Sequence, residues 1–520
     1  MTFGLNNTKW LLKSPVPVWR IGLRPFILFC LLAFTATAVL FALTTQNWWG
    51  ATVNLITDPS YRSSNLPASM TRGKQHDRGM FHGQGTIFVP TQETDVWKDI
   101  VLKSSSLYMS EVPAGPHGNE SFGKRGHGVV PVTCDPSAQV SETLRMKPLD
   151  FLKEFKNPCW REPLKEPIEE LYSHNSYALA SPSYHNAFNK ILDQWKLIKP
   201  DPKYRLRCLP YFFLAGQPKS GSTDFYKRLI AHPDIVAPPS KESHWWAKNR
   251  YGMFLNFTQP IPFSDYVDLY DGVALKIQQA GISTNGSITY PKITGDGSVS
   301  TLWYNDDWWK NPENCGMTVP RFTNAHHVYA VIPQARIIII LRNPIDRLYS
   351  DFLYFQRSDK SPEDFHQAAE NGIQLLNECI DRFGMRACIY NSSVAGKSRV
   401  RLRVGLYYQY LQEWLTLFPR SQVAVVRLED YSAKPLSTVR QVHTFLQLRQ
   451  LSDVEDDRVL AQPKHNTRRT SDRKLGGMLD KTRELLHSFY HPHNLDLAQL
   501  LHDDRFLWLE YGAQRNNSGD

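Results

Sequence analysis

The chain has 520 residues, a formal net charge of +10, 42% hydrophobic and 21% charged residues, the make-up of a globular protein with room for a large core and more than one region. Its positive balance suits an acidic partner, whether nucleic acid, anionic lipid or a polyanionic glycan, and does not choose among them. No pair of its seven cysteines has CxxC spacing, which sets zinc binding and thiol redox chemistry aside.

In chain order, residues 26–45 come first: apolar, free of charge, and about the twenty residues needed to span a bilayer. Lys9, Lys13, Arg20 and Arg24 precede them, and the first acid after them is Asp58. Basic residues on the N-terminal flank keep that side cytoplasmic, so the pattern predicts an uncleaved signal-anchor: 1–25 cytoplasmic, 26–45 transmembrane, the rest lumenal. Six cysteines then lie on the lumenal side (Cys134, Cys159, Cys208, Cys315, Cys379 and Cys388), an even set that fits three disulfides in an oxidising compartment. Cys379 and Cys388 are the easiest local pair; the full connectivity stays open. Sequons at Asn119, Asn256, Asn285, Asn391 and Asn516 agree with lumenal exposure.

Residues 46–125 are polar and rich in Gly, Ser, His and Pro, a stem. Residues 126–204 read as a lead-in packed on the main domain, with a helix-like stretch between Cys134 and Cys159. An amphipathic helix follows in YHNAFNKILDQWKLI, its apolar side at Leu192, Trp195 and Ile198. The main domain is expected over 205–520.

Within that domain Tyr211–Ala215 is a short apolar run, a buried strand; Gly216–Thr223 is a turn of small residues; a helix follows. Strand, small-residue turn and helix make an anion cradle, with Lys219 adding a full charge. The Walker A spacing is absent, because Lys219 precedes Gly221 rather than following a second glycine. Next, in PPSKESHWW, two prolines bar a helix, and the tryptophans are expected to be buried beside Lys241, Glu242 and His244. GDGSVSTLWY (295–304) reads as a small-residue turn. RIIIILRNPIDRLYS (336–350) is a β-branched strand with Arg342 at its carboxyl end, then a proline-started helix. Arg342 and Ser350, two helical turns apart, can converge on one phosphate. A helix over 404–417, a strand over 422–428 and a basic C-terminal run with Arg468, Arg469, Arg473 and Lys474 complete the pattern.

PKSGST, KESHWW, GDGSVSTLW and the Arg-x-Pro…Ser element together resemble the Golgi carbohydrate sulfotransferases, over residues from about 130 to the end. The resemblance implies an α/β, P-loop-like sulfotransferase fold, a central parallel sheet flanked by helices, preceded by one transmembrane helix. It implies PAPS (3′-phosphoadenylyl sulfate) as sulfate donor and no metal. Lys219, Ser220, Gly221, Ser222 and Thr223 would meet the 5′-phosphate, Arg342 and Ser350 the 3′-phosphate, and Arg468 and Arg469 would close over the nucleotide. Glu242 would be the general base and Lys219 would steady the leaving group, with Lys241, His244, Arg473 and Lys474 towards the acceptor. Asp296 stands where the family more often has Glu, which weakens any role for that carboxylate. The implied acceptor is a glycosaminoglycan rather than a nucleic acid, through the 6-hydroxyl of N-acetylgalactosamine 4-sulfate in chondroitin or dermatan sulfate, in the Golgi lumen. Heparan sulfate or unsulfated chondroitin, an inactive glycan-binding protein of this fold, and a nucleotide kinase remain as alternatives. The oligomeric state, a homo-oligomer included, is not legible.

Overall fold

The structure, a computed structural model, describes residues 142–198, 203–252, 259–356, 360–465 and 467–509. The anchor expected at 26–45, the stem at 46–125, and Cys30, Cys134, Asn119, Asn256 and Asn516 lie outside them. No helix among the described residues is long and apolar enough to cross a membrane.

Eight strands are described: β1 Cys159–Pro163, β2 Tyr204–Cys208, β3 Phe212–Gly216, β4 Ile282–Thr284, β5 Ser287–Thr289, β6 Gly295–Asp296, β7 Arg336–Leu341 and β8 Val423–Arg427. The central sheet runs β6-β3-β7-β8, every pair parallel. Parallel strands carry crossover helices on both faces, so their sequences read as continuous apolar runs. Ile337–Leu341 obeys this rule: Ile337, Ile339 and Leu341 enter one core cluster, Ile338 and Ile340 the other. Phe213 and Ala215 of β3 alternate with Phe212 and Leu214 in the same way. Gly295 on β6 is required by proximity, since a Cβ there would stand 2.2 Å from the Phe212 ring.

The helices that matter for the site are α1 Pro182–Ile198, α2 Ser222–Leu229, α3 Pro344–Phe355, α4 Pro362–Phe383, α5 Tyr407–Leu417, α6 Pro435–Phe445 and α7 Asp480–Leu501. In α1 the buried stripe is Phe188, Ile191 and Trp195, which leaves Leu192 at its edge rather than its centre. The helix-like stretch expected after Cys134 is, among the described residues, a single turn, Glu142–Arg145; Pro148 and Pro158 then hold the chain in irregular form. The 404–417 helix divides into a 3-10 turn, Leu402–Gly405, and α5.

The lead-in is built into the domain. β1 pairs with β2 antiparallel, and Cys159 and Cys208, opposite each other in that register, form a disulfide. Cys379–Cys388 is the second described disulfide, and Cys315 is disulfide-bonded as well. Arg207 on β2, 1% exposed, donates to Asp268 at 2.8 Å and to Asp271 at 2.8 Å; Tyr172 of the lead-in donates to the same Asp271 at 2.7 Å. Removing one member of a buried ion pair strands its partner in low dielectric. Arg207→Met should therefore lower unfolding stability by about 3–5 kcal/mol, read from urea denaturation, whereas exposed Lys196→Met should be near neutral. Equal midpoints for the two variants would show that the pair carries no stability.

Candidate active site

Three segments arrive together at the carboxyl edge of the sheet: the turn after β3, the turn after β7, and β6 itself, which leads into 297–304. This is the edge at which open parallel sheets bind ligands.

After β3 the chain passes through two left-handed residues, Lys219 with φ 66° and Gly221 with φ 74°. Gly221 is the N-cap of α2 and offers no side-chain cap; a Cβ there would lie 2.6 Å from Leu428 Cδ1. The amides of a helix's first turn have no acceptors within the helix, and a loop curled this way turns its N–H groups inward. Ser220 Oγ and both amide atoms of Gln217 are buried without a hydrogen-bond partner among the described residues. Buried polar atoms are nearly always paired, so these mark a place prepared for a polar ligand.

The Lys219 ammonium sits 3.6 Å from the centre of the Tyr354 ring. Burial pushes its pKa down to about 8, against the pull of Asp351 and with the repulsion of Arg342, Arg401 and Arg469. Arg342, at the end of β7, donates from Nη1 to the Lys219 carbonyl at 3.3 Å, and its own carbonyl accepts from Tyr407 Oη at 2.8 Å. Asn343 caps α3 through its side-chain oxygen, 3.0 Å from the Ile345 amide, and Pro344 opens the helix. Ser350 lies along that helix, half-buried.

The basic C-terminal run comes to the same place. Arg468 lies 5.3 Å from the Tyr349 ring and Arg469 5.5 Å from Tyr354, the ring that also carries Lys219. Residues on α2 hold this run, a role that sequence reading missed. Arg228 donates to the carbonyls of Val459 at 2.7 Å, Leu460 at 2.9 Å and Gln462 at 2.7 Å. Asp224 accepts from the His465 amide at 3.1 Å and from Tyr431. Arg473 and Lys474 are exposed on the short helix Thr470–Lys474; Arg473 Nε donates to the Arg468 carbonyl at 3.0 Å, and neither meets Glu242 among the described contacts.

Glu242 anchors a second cluster. Lys241 pairs with its Oε1, and His244 Nε2 lies 3.1 Å from Oε2. Burial alone would raise this carboxyl; the His244 hydrogen bond and the Lys241 charge outweigh it and hold the pKa down to about 2. His244 Nδ1 is 2.8 Å from Ser300 Oγ, so both ring nitrogens are engaged. Like Lys219, His244 has a positive φ, 53°, a backbone state that non-glycine residues keep only where surroundings enforce it. Ser298 Oγ supplies that hold by accepting from the His244 amide at 3.1 Å. Trp245 and Trp246 are buried, as expected.

Asp296, in the small-residue turn read at 295–304, has a structural role that the sequence did not show. It is 2% exposed and accepts from Ser243 Oγ at 3.0 Å, Tyr266 Oη at 3.0 Å, Tyr270 Oη at 3.3 Å and the Ser298 amide at 2.7 Å. It ties the Glu242 segment to β6 and so to β3. Four donors converging on one buried carboxylate could have been suspected from the two tyrosines four apart in FSDYVDLY, but nothing in sequence placed them beside 296. Among the described residues no group of His, Cys, Asp or Glu could hold a metal ion.

Because Lys219 has a folded value of about 8 against an ordinary 10.5, the unfolded chain binds more protons on this group between those values. Stability should rise with pH across that window, and the full penalty should be present below pH 8. Lys219→Met should therefore melt higher than the parent protein at pH 7, with the gap closing by about pH 10.5. Thermal scans of both proteins across this range check it, and a gap independent of pH would refute the assignment.

Residues 209–511 match the family described as the sulfotransferase domain. Carbohydrate sulfotransferase 15 of Mus musculus is 38% identical over 371 residues, covering 69% of this chain and 66% of that protein. Carbohydrate sulfotransferase 15 of Nototodarus sloanii is 39% identical over 142 residues, 27% of this chain and 89% of that one. A solved structure, the sulfotransferase from Alicyclobacillus acidocaldarius, is 24% identical with a TM-score of 0.36, covering 57% of this chain and 97% of that one. The chain thus spans 66% of the length of the mouse protein.

Proposed function

The chain belongs to the sulfotransferase domain family, and from that membership we propose that it transfers a sulfuryl group from PAPS to a hydroxyl of a glycosaminoglycan. The observation that carries this reading is the pairing of two clusters at one sheet edge: a cation-rich anion loop around Lys219 and Arg342, and an ionised, half-buried carboxylate at Glu242.

The residues present fit the donor. Ser220 and Gln217 bring unpaired polar atoms to the loop, and Gly221 supplies the left-handed turn into α2, with no room for a Cβ beside Leu428. Ser220 to Thr223 would hold the 5′-phosphate; Arg342 and Ser350, with Arg468 and Arg469 above them, would hold the 3′-phosphate. PAPS, when bound, supplies the activated sulfuryl group. Lys219 would meet the negative charge that builds on the departing phosphate oxygen, as a preorganised and half-buried charge. An anion beside Lys219 would also restore its ordinary protonation.

Glu242 would take the proton of the acceptor hydroxyl. It is ionised at any physiological pH, yet both its oxygens are engaged, Oε1 by Lys241 and Oε2 by His244. Entry of the acceptor at Oε1 would displace the Lys241 ammonium, which raises the basicity of Glu242 at the moment it is needed. His244 is better cast as the group that orients Glu242 than as a base itself, since Ser300 and Glu242 occupy its two nitrogens.

The acceptor proposed is the 6-hydroxyl of N-acetylgalactosamine 4-sulfate in chondroitin or dermatan sulfate. The 38% identity to carbohydrate sulfotransferase 15 supports the carbohydrate class. We place the catalytic part in the Golgi lumen behind a type II anchor at 26–45. Support comes from the flanking charges and from the two described disulfides, which belong to an oxidising compartment.

The test offers radiolabelled PAPS with chondroitin 4-sulfate, unsulfated chondroitin and heparan sulfate to the purified full chain and to Glu242→Gln. Label at position 6 of the 4-sulfated sugar is expected, reduced about 10²–10⁴-fold in the variant while the nucleotide still binds. Label on heparan sulfate instead would overturn the acceptor and keep the reaction. Nucleotide binding without transfer to any chain would leave an inactive glycan-binding protein.

A further inference from the structure

The loop that carries Lys219 and the segment that carries Glu242 are joined by a row of alternating rings and cations that no residue of the proposed reaction requires. Tyr354 and Phe355 end α3 with their rings 4.8 Å apart, and they are 45% and 54% exposed. The Arg401 guanidinium lies 4.2 Å from the Phe355 ring and 5.5 Å from Trp303. Trp303 touches Tyr304 at 5.4 Å between ring centres, and the Lys248 ammonium lies 4.7 Å from Tyr304. Lys248 is in turn within the field of Glu242. The row therefore starts beside the anion loop and ends beside the carboxylate.

Its parts are held in different ways. Trp303 is buried and forms the floor. Arg401 is fixed by Asp351, which meets its Nε at 2.7 Å and pairs with its Nη2 as well. Lys248 is half-buried, and burial together with the Arg401 charge lowers its pKa, opposed by Asp306, Glu242 and Asp307. Two cations kept close in a partly dry place are stabilised when an anion joins them. The exposed rings of Tyr354 and Phe355, set between Lys219 and Arg401, offer flat apolar area to a molecule that is apolar on its faces and anionic at its rim. A polysaccharide of acidic pyranoses has that character.

We propose that Phe355, Arg401 and Lys248 form the track along which the acceptor chain lies, with Arg401 and Lys248 binding an oxyanion on the sugars next to the reacting hydroxyl. This rests on the reading of the protein as a glycosaminoglycan sulfotransferase and gives that acceptor its contacts. The oxyanion has two sources with shared chemistry, a sulfate ester or a uronate carboxylate.

The test is calorimetric binding of chondroitin 4-sulfate and unsulfated chondroitin oligosaccharides to the full chain, to Lys248→Gln, Lys248→Arg and Phe355→Ala. Binding of the desulfated nucleotide PAP to each variant reports a folded donor site. Phe355 is more than half exposed, so its variant tests the track even if Lys248→Gln folds poorly. Lys248→Gln and Phe355→Ala should each weaken oligosaccharide binding by about tenfold, the size of one good charged or aromatic contact, with PAP affinity unchanged. Lys248→Arg should restore binding. Loss confined to the sulfated chain assigns the sulfate ester; equal loss on both assigns the carboxylate. Unchanged affinity for both chains, or a parent protein that binds neither, overturns the track. A parent protein that binds the sugars through these residues but transfers no label from PAPS would keep the track and remove the sulfotransferase reading.

Discussion

Parallel pairing of β3 between β6 and β7 is the constraint from which the site follows. Hydrogen-bonded strands that run the same way must all end on the same edge, so whatever each sequence places after its last strand residue is delivered into one space. β3 delivers Lys219, β7 delivers Arg342, and β6 ends in Asp296, which holds the Glu242 segment. The close fit of Gly295 to the Phe212 ring sets how near β6 can come. Any side chain at 295 would push the carboxylate cluster away from the cation loop.

What arrives there is an excess of positive charge that the protein keeps partly dry. Burial first, and then the charges of Arg342, Arg401 and Arg469, lower the Lys219 pKa, with Asp351 pulling the other way. Rings absorb part of that tension, Tyr354 between Lys219 and Arg469, Tyr349 beside Arg468. The site is thus stabilised by its ligand more than by itself, the usual exchange of stability for function at a binding centre. The carboxylate side shows the opposite balance: Glu242 is over-satisfied by Lys241 and His244, and must be released to work.

The strands and the loop were legible because their signals are local. A β-branched run with Arg at its end, a small-residue turn before a helix, and a proline after Asn343 each state their own geometry. Burial of Trp245 and Trp246 followed from apolar size alone, and the Cys379–Cys388 bridge from short separation. Arg228, Asp224, Arg401 and Lys248 were not legible, since each acts on a partner far along the chain; Arg228 binds carbonyls 231 to 234 residues away. The partners of Asp296 were hidden for the same reason. A short acidic residue between glycines looks exposed, and only the packing of Tyr266 and Tyr270 over it reverses that. The α1 face was read in part: Trp195 lies in the core and Leu192 packs against its edge, while Phe188 and Ile191 complete the buried stripe.

The β1–β2 ladder bears on where the protein can be shortened. A piece beginning at 205, where the sequence pattern of the main domain starts, would leave Cys208 without its covalent mate and β2 with a bare edge. It would also bury the Arg207 cluster without Tyr172 and Glu162, and open the Tyr177 and Trp195 side of the core to water. Bare edges recruit other strands, and unmatched thiols recruit other thiols. Such a fragment would be sticky rather than merely weaker, and a self-sufficient piece has to include β1 and its Cys159.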